Sequence, residues 1–443
     1  MNSVREIMQA DATVTTTPKS RDELGVSDEV LLQLLIKQLY VFNGMSLAQT
    51  VDSIKLSTAI TESLAADLRA RNLMYVAGSA DGSQPLTYTL TELGRLEAEN
   101  LLTQNSYSGP APISLASYRQ LIQQQSIRNL PTTKADLERC YSGICLDQDI
   151  KDRLGPAIVS GKSLFLYGPA GTGKTFIAQK INDIFGDSCL IPYAIEIQGQ
   201  ILAIFDPILH SPVLPSSMDE SDPQSSLRKV KRQDPRLIAC KRPRIIVGGE
   251  MTVDMLDVQF DPYRKNYVAP LQLKANSGVF IIDDMGRQKS TPMEIFNRWI
   301  VPMEEKQDYL SIGSGQHFSV PFDQLLVFSS NISPLELADE AFLRRIGYKI
   351  CISPIGEESY KKIWLGECER LSLQHCENTL QFVLHELHKK RNIALLPCHP
   401  RDLLEMASDH AAYTSDEQVI TCERLSWAWD SYFVSLDTSI GHL

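Results

Sequence analysis

Short apolar runs recur between residues 163 and 330 of the chain. The clearest of them are SLFLYG, YAIEI, GVFIID and LLVFSSN. Because apolar and polar residues do not alternate within these runs, the pattern is typical of parallel strands that are covered on both faces. Helical segments separate the runs. The pattern therefore predicts an α/β fold with a parallel-sheet core over residues 135–355.

Helical periodicity dominates on both sides of this core. In residues 28–107, the stretches EVLLQLLIKQLY, SLAQTVDSI and STAITESLAADLRARN predict three helices, LMYVAGSADGSQPLTYTLT predicts a hairpin, and TELGRLEAENLL predicts a closing helix. This order resembles a winged helix-turn-helix domain. Beyond about residue 355 no strand pattern remains, so residues 356–443 are predicted to form an all-helical lid.

Three segments show no periodicity. Residues 1–27 are polar and rich in threonine and serine, which predicts a flexible tail. Residues 108–134, with YSGPAP and a run rich in glutamine and serine, predict a linker. The stretch SSMDESDPQSSLRKVKRQD is low in apolar residues and predicts a flexible insertion at about 215–235, within the core.

Composition is that of an ordinary globular protein. The 443 residues are 43% apolar and 22% charged, and this length suits about three domains. No apolar run approaches the roughly 18 residues of a membrane helix, and the N-terminus lacks the apolar core of a signal peptide. The nine cysteines form no CxxC pair, which argues against zinc sites and disulfides. The sequence therefore predicts a cytoplasmic protein without a membrane partner.

The stretch YGPAGTGKTF matches the phosphate-binding pattern GxxxxGK[ST], between a predicted strand and a predicted helix. Its glycines let backbone N–H groups turn toward phosphates, and the helix N-terminus adds a favourable dipole. Lys174 would place its charge on the phosphates of ATP, and the Thr175 hydroxyl would bind Mg²⁺. The predicted nucleotide-binding residues are Gly168, Pro169, Ala170, Gly171, Thr172, Gly173, Lys174, Thr175 and Phe176.

Two acids follow the apolar run in GVFIIDDMG. Asp283 is predicted to bind Mg²⁺ by accepting a hydrogen bond from a water molecule on the ion. Asp284 is predicted to orient and polarise the water that attacks the phosphate. The residue usually found at the second position is glutamate. Because aspartate is shorter by one methylene group, its carboxylate lies farther from the water, and we expect slower hydrolysis.

The order of these motifs resembles the AAA+ ATPases over residues 135–412. LLVFSSN resembles sensor 1 and implies that Asn331 contacts the γ-phosphate or the water. DEAFLRRIGYKI resembles the segment with the arginine finger, which implies Arg345 as the finger and Arg344 as its neighbour. CHPRDLL resembles sensor 2 and implies that Arg401 reaches the γ-phosphate from the lid. The family implies ATP, Mg²⁺ and a homo-oligomeric ring, expected to be a hexamer.

A finer resemblance points to one clade of this family. APLQLKANSGVFIIDD is similar to that clade's approach to the Walker B strand, and the stretch before LLVFSSN resembles its hairpin inserted ahead of sensor 1, with the tip at Gly313–Gly315. The clade contains the MoxR-like ATPases, the magnesium-chelatase motor subunits and the bacterial enhancer-binding activators. The sequence lacks the GAFTGA loop of the activators, which argues against an activator role.

Three functions stay open at this point. The resemblance favours a MoxR-like ATPase that remodels a protein client. The alternatives are a DNA-associated ATPase directed by residues 28–107 and a slow nucleotide-gated switch. Residues 28–107 carry five basic and nine acidic side chains, so DNA binding would need Lys55, Arg69 and Arg71 on one helix face. This charge favours a protein partner.

A polar and aromatic loop lies within the predicted core. Tyr263, Arg264, Lys265 and Tyr267 could grip a substrate in the pore of a ring, or they could form an ordinary exposed loop. The sequence does not separate these two interpretations.

Overall fold

A computed structural model describes most of the chain, namely residues 15–78, 86–213, 233–313, 315–374, 376–414 and 419–433. Residues 1–14 of the predicted tail and the predicted insertion up to residue 232 lie outside the described residues. The centre of the predicted hairpin tip, residue 314, does so too.

The strands are numbered along the chain. The first ones are β1 (Met45–Ser46), β2 (Met74–Ala77), β3 (Thr87–Leu90), β4 (Ile113–Ser114), β5 (Leu164–Tyr167) and β6 (Ser188–Pro192). They are followed by β7 (Ala194–Ile197), β8 (Gln200–Ala203), β9 (Leu237–Lys241), β10 (Arg244–Val247), β11 (Gln259–Asp261) and β12 (Asn266–Val268). The last ones are β13 (Val279–Ile282), β14 (Gln307–Ile312), β15 (Gln316–Pro321), β16 (Leu325–Ser330) and β17 (Tyr348–Cys351).

The helices fall into three groups. The N-terminal domain contains Asp28–Val41, Leu47–Ile54, Thr58–Ala70 and Glu92–Gln104. The middle of the chain contains Leu115–Gln124, Lys134–Cys140, Gln148–Ser160, Lys174–Ile184, Leu271–Lys274, Pro292–Glu305, Pro334–Leu337 and Glu340–Leu343. The C-terminal domain contains Glu357–Arg370, Glu377–Phe382, the π-helical segment Val383–Lys389, Cys398–Tyr413 and Cys422–Tyr432.

A five-stranded parallel sheet forms the centre of the chain, in the order β10–β13–β16–β5–β17. Every residue of β13 and of β16 is buried. Helices Gln148–Ser160 and Lys174–Ile184 pack into an apolar core on one face, and Pro292–Glu305 packs into a second core on the other. Burial on both faces explains the unbroken apolar runs. The predicted α/β fold with a parallel sheet is confirmed.

One of the four predicted core strands lies elsewhere. The run YAIEI forms β7, which pairs antiparallel with β8 across a tight turn. Gln198 and Gly199 both have positive φ in that turn, as a two-residue hairpin requires. Local pairing therefore takes β7 out of the parallel sheet, and β10 occupies the outer position there.

A second five-stranded sheet has the order β11–β12–β8–β7–β4 and mixes parallel with antiparallel pairs. Its apolar face packs against helix Leu115–Gln124 and against the β14–β15 hairpin. That hairpin lies directly before β16, where the sequence predicted one.

The predicted linker 108–134 is wrong as a description of these residues. Within it, β4 joins the second sheet and helix Leu115–Gln124 follows, with Ser114 as its N-cap. Tyr118 is fully buried, and its hydroxyl accepts a hydrogen bond from Asn276 Nδ2 at 2.9 Å. The segment is thus part of the folded structure, because Ala111, Tyr118 and Ile127 are buried in three different apolar cores.

The predicted flexible tail is also wrong for residues 15–27. The Thr17 hydroxyl donates to the carbonyl oxygen of Gln233 at 3.1 Å, and Leu24 is fully buried. Arg21 forms an ion pair with Asp67 at 2.6 Å. The polar composition predicted a tail because it does not reveal the one buried leucine or these long-range contacts.

The N-terminal domain consists of four helices and the antiparallel sheet β1–β3–β2. Ser46, Ser57 and Thr91 each cap a helix through the side-chain oxygen. Its apolar core continues into the second sheet through Ala194 and Ile201. One face of the second sheet therefore contributes to the core of the N-terminal domain.

The C-terminal domain contains only helices among the described residues after β17, as predicted. Its core centres on Trp364 and Trp429 and includes Leu403, Leu404 and Leu425. His388 is buried there and bonds to the Tyr360 hydroxyl at 3.1 Å. In the part of the chain that the structure describes, no helix is long and apolar enough to cross a membrane.

Candidate functional site

The carboxyl ends of three neighbouring strands bring the predicted site residues together. β5 leads into the phosphate loop, β16 ends just before Asn331, and β13 ends just before Asp283 and Asp284. Because the strands are parallel and adjacent, all three ends meet at one edge of the sheet. Ligands of open α/β sheets bind at this edge.

Glycines shape the phosphate loop at two points. Gly168 has φ +140, and a Cβ atom there would lie 2.2 Å from the carbonyl oxygen of Ile352. Gly173 has φ +86 and is the N-cap of helix Lys174–Ile184. A side chain at Gly168 would collide with the backbone, so the loop needs glycine. The free N–H groups at this helix start form an anion site.

The remaining loop residues line the surface of this site. Pro169, Ala170 and Phe176 are exposed, whereas Thr172 is buried. The Thr172 hydroxyl donates to the carbonyl oxygen of Pro169 at 2.9 Å. Thr172 therefore stabilises the loop from the inside.

Lys174 is buried inside the loop. Its Nζ donates to the carbonyl oxygens of Gly168 and Pro169 at 2.9 and 2.7 Å, and to Asn331 Oδ1 at 2.6 Å. Burial lowers the pKa of Lys174, although the charges of Asp284 and Asp283 oppose this shift. The ammonium group is thus held where phosphate oxygens would meet it.

Thr175 and Asp283 form an oxygen pair beside this lysine. The Thr175 hydroxyl donates to Asp283 Oδ1 at 2.9 Å. Hydroxyl and carboxylate oxygens are the ligands that Mg²⁺ takes when it also binds phosphates. The two residues that the sequence predicts as Mg²⁺ ligands therefore lie together, and their oxygens fit such a site. Elsewhere in the described ranges, no group of three or more His, Cys, Asp or Glu side chains could hold a metal ion.

Asp284 lies on the solvent side of the same edge. It has φ +49, the left-handed region that residues other than glycine rarely adopt. Asn331 Nδ2 lies 3.4 Å from Asp284 Oδ1, and the same amide group accepts from Lys174. A continuous chain of polar contacts therefore joins Lys174, Asn331 and Asp284.

Arg401 lies in the lid helix Cys398–Tyr413. It is exposed, and its Nε donates to Asp402 Oδ1 at 2.9 Å. The lid contacts the phosphate loop nearby, because a Cβ atom on Gly171 would lie 2.6 Å from Cys398 Sγ. Arg401 is thus on the helix that meets the loop, but its recorded bond is to Asp402.

Arg344 and Arg345 lie between helix Glu340–Leu343 and β17, away from the bonds described above. Arg345 Nε donates to Glu304 Oε1 at 2.6 Å, and its guanidinium also bonds to the carbonyl oxygen of Ala341. Arg344 is exposed, and its guanidinium makes no hydrogen bond or ion pair with the described residues. Arg344 is therefore the freer of the two side chains.

The loop with Tyr263 is the turn of the β11–β12 hairpin. Tyr263 is 95% exposed, whereas the Tyr267 ring packs edge to face against Phe260. Ser106 N donates to the carbonyl oxygen of Lys265 at 2.7 Å. The turn thus exposes one aromatic ring and is attached at its base to the end of the N-terminal domain.

Sequence reasoning missed Gln288, in the turn after β13. Its side-chain amide contacts four backbone groups around the two acids. A glutamine in a loop carries no signal in one sequence, so only the structure could identify it.

Comparisons with known proteins match parts of this architecture. A family model described as a domain of unknown function (DUF8689) matches residues 356–431, in the helical lid. No curated protein matches the chain.

Two solved structures are similar to the chain at low identity. The RuvB Holliday junction branch migration motor of Thermotoga maritima has 11% identity and a TM-score of 0.35, with 65% of this chain and 69% of that chain covered. The FIGL-1 AAA domain in complex with ADP has 15% identity and a TM-score of 0.31, with 64% and 75% covered. The strand order and the phosphate loop themselves establish the α/β fold of a P-loop protein.

Proposed function

We propose that the protein is an ATPase that uses Mg²⁺. The observation that carries this proposal is the constellation at the sheet edge: Lys174 bonded to Asn331 at 2.6 Å and Thr175 bonded to Asp283 at 2.9 Å. These four side chains come from two strand ends and one helix start. Chance folding of a glycine-rich turn would not bring them together.

Each side chain suits one task in phosphate binding. The N-terminal amides of helix Lys174–Ile184 and the ammonium group of Lys174 bind the phosphates. Thr175 and Asp283 hold Mg²⁺. When bound, Mg²⁺ neutralises charge on the phosphate oxygens. Asp284 orients the attacking water and accepts its proton, and Asn331 holds the γ-phosphate or the water in place.

The binding test compares two lysines of one helix. Lys174→Ala should lower the affinity for ATP with Mg²⁺ by about 100-fold or more, because a charge-assisted contact is lost in a buried setting. Lys180→Ala removes an exposed lysine that is paired with Asp183 and should change nothing. Calorimetry measures both affinities. Equal affinity of Lys174→Ala and the wild type would contradict the nucleotide site.

We further propose that the active form is a homo-oligomeric ring, expected to be a hexamer. In this arrangement Arg345, or its neighbour Arg344, acts at the nucleotide of the adjacent subunit. Arg401 reaches the γ-phosphate within its own subunit when the lid closes. Both proposals rest on the AAA+ resemblance and on the exposed positions of Arg344 and Arg401.

The proposed task of the ring is to remodel a protein partner, as MoxR-like ATPases do. The winged-helix-like domain would contact that partner. Its basic groups support protein over DNA, because Lys55 is paired with Asp52 at 2.6 Å and Arg71 with Glu29 at 3.0 Å. Helix Thr58–Ala70 adds Glu62 among its exposed residues. A duplex would therefore meet acids as well as bases.

Two measurements separate the alternatives. ATP turnover that rises on adding duplex DNA, and DNA binding that survives physiological salt, would favour the DNA-associated ATPase. Tight ATP binding with almost no turnover would favour the slow nucleotide-gated switch. The short Asp284 side chain is the reason for considering this alternative. Turnover that is insensitive to DNA supports the remodelling proposal.

A further inference from the structure

We propose that Gln288 is a positioning residue that holds Asp284 in place. The inference rests on the proposed ATPase function and deepens it, because Asp284 is the group assigned there to the attacking water. Gln288 follows Asp284 in the turn after β13, and its side chain is half-buried. It contacts the backbone of Asp283 and Asp284, not their carboxylates.

The side-chain amide of Gln288 joins two strand ends. Its Nε2 lies 2.9 Å from the carbonyl oxygen of Asp283, 3.3 Å from that of Asp284 and 3.4 Å from that of Gly248. Its Oε1 accepts from the N–H of Gly286 at 2.8 Å. Gly248 follows β10, the strand beside β13. One side chain thus connects the backbone before, at and after Asp284 to the neighbouring strand.

Asp284 needs such support because of its backbone conformation. A residue other than glycine at φ +49 is strained, and strained residues persist where their surroundings hold them in several ways. Two backbone bonds help: Arg287 N donates to Asp284 O at 3.0 Å, and Met285 N donates to Ser329 O at 2.7 Å. Gln288 adds side-chain hydrogen bonds to the same turn.

The position of the Asp284 carboxylate depends directly on this turn. An aspartate has one side-chain torsion fewer than a glutamate, so the position of its oxygens depends more closely on the backbone. At present Asp284 Oδ1 lies 3.4 Å from Asn331 Nδ2. A small rotation of the turn would move the carboxylate away from Asn331 and from the water. Gln288 therefore acts on hydrolysis through Asp284.

The test uses two substitutions of Gln288. Gln288→Met keeps the length and removes every hydrogen bond, whereas Gln288→Glu keeps the acceptor for Gly286 and loses the donors. Both should lower kcat by about tenfold or more, because small misplacement of a reacting group has large effects. The affinity for ATP with Mg²⁺ should stay within about threefold, since the phosphate-binding residues keep their bonds.

Gln125→Met is the matched control. Gln125 Nε2 donates to the carbonyl oxygen of Leu190, and its Oε1 accepts from Leu190 N, both at 2.9 Å. This amide connects helix Leu115–Gln124 to β6, away from the site. Its loss should lower thermal stability and leave kcat of the folded protein unchanged. The control therefore separates general loosening from a local effect on Asp284.

Two further readouts test the route through Asp284. Without nucleotide, Gln288→Met should speed amide hydrogen exchange at Gly286 and its neighbours. In an Asp284→Asn background, Gln288→Met should cause no additional loss of the residual turnover, because the two residues act as one unit. An additive loss would mean that Gln288 acts by another route and would overturn the proposal.

The outcomes distinguish this inference from the proposed function. A wild-type protein that neither binds nor hydrolyses ATP contradicts the ATPase proposal. A wild type that hydrolyses ATP, with a Gln288→Met variant of equal kcat, overturns only the role of Gln288. Equal losses in affinity and in kcat would show a general structural role and would also overturn it.

Discussion

Strands β13 and β8 each have four residues, but their surroundings differ. All four residues of β13 are buried between two layers of helices, whereas β8 buries only Ile201 and Leu202. β13 belongs to the parallel sheet and leads into Asp283. β8 belongs to the second sheet, where Leu202 faces that sheet's own core and Ile201 faces the N-terminal domain.

The two sheets therefore have different tasks. The parallel sheet collects polar groups at one edge because all its strands end there. The second sheet collects contacts between domains: Asn105 Nδ2 donates to the carbonyl oxygen of Ile201 at 3.2 Å, and Ser106 bonds to the turn at Lys265. These contacts join the N-terminal domain to the second sheet.

The largest expected effect on folding comes from introducing one carboxylate into each sheet. Val327→Asp places a carboxylate in the middle of β16, where Val327 is fully buried. We expect this variant not to fold, because an unpaired buried charge costs several kcal/mol. Ile201→Asp should detach the N-terminal domain and leave the affinity for ATP within about threefold. Thermal unfolding, hydrogen exchange and calorimetry measure these results.

Ile246→Asp is the control for the added charge. Ile246 is on β10 and 38% exposed, so the carboxylate would reach water and have little effect. Loss of ATP binding in Ile201→Asp would contradict the division of tasks. It would mean that both sheets unfold as a single cooperative unit.

The second prediction separates binding from chemistry within the parallel sheet. Asp284→Asn should lower turnover by about 100-fold, because the amide cannot accept a proton from the water. ATP affinity should change by about threefold or less, because Lys174 and Thr175 keep their contacts. Asp283→Ala should in addition lose the Mg²⁺ dependence of binding. Similar, mild effects of both substitutions would contradict their assigned tasks.

The parallel sheet could be predicted because its signals are local. Runs such as GVFIID and LLVFSSN are apolar at every position, and the glycine pattern before Lys174 lies between a strand and a helix. Parallel strands also end at one edge, but the order β13–β16–β5 in the sheet is what brings Asn331, Asp283 and the phosphate loop together. The glycine pattern and the two acids were predicted from their residues, and Asn331 from the resemblance to the AAA+ ATPases.

The second sheet could not be predicted for the opposite reason. β4 has two residues and β12 has three, so neither shows periodicity. Their pairing depends on partners far away in the chain, such as Ile113 with Ile195. The hydrogen bonds of Arg345 and Gln288 likewise depend on side-chain directions that a sequence does not contain. The prediction of a linker at residues 108–134, which rested on composition alone, was therefore wrong.

The third prediction concerns the two arginines outside both sheets. In a ring, Arg345→Ala should keep ATP affinity and lower kcat by about 10³-fold, as loss of an arginine finger does. Mixing it with Lys174→Ala subunits should restore part of the activity, because one subunit supplies the site and the other the arginine. Steady-state turnover of the mixtures measures this rescue.

Two variants assign the finger. Glu304→Gln removes the carboxylate that holds Arg345 and should leave turnover equal or higher if Arg345 acts on a neighbouring subunit. Arg344→Ala with the larger loss of turnover would transfer the role to Arg344. No rescue on mixing, with activity per subunit constant over about 100-fold dilution, would contradict the ring.

The smallest expected effect concerns a buried lysine at the junction of the two regions. Lys37 is 4% exposed, and its Nζ donates to the carbonyl oxygen of Asn105 at 3.0 Å. Burial lowers the pKa of Lys37 from 10.5 to about 8. The unfolded chain therefore binds more protons between these two pH values, and the free energy of unfolding rises with pH in that window.

Lys37→Met tests this rise in the free energy of unfolding, because methionine has a side chain of similar length but no titrating group. Between about pH 8 and pH 10.5, the wild type should gain at most about 3 kcal/mol of stability relative to the variant. Other groups that titrate there contribute equally to both proteins, so the difference isolates Lys37. Lys55→Met removes a partly exposed ammonium of the same domain and is the control for the loss of a lysine. Parallel pH curves for the wild type and Lys37→Met, from chemical denaturation at each pH, would mean that water reaches Lys37 and that the junction between the N-terminal domain and the second sheet is open.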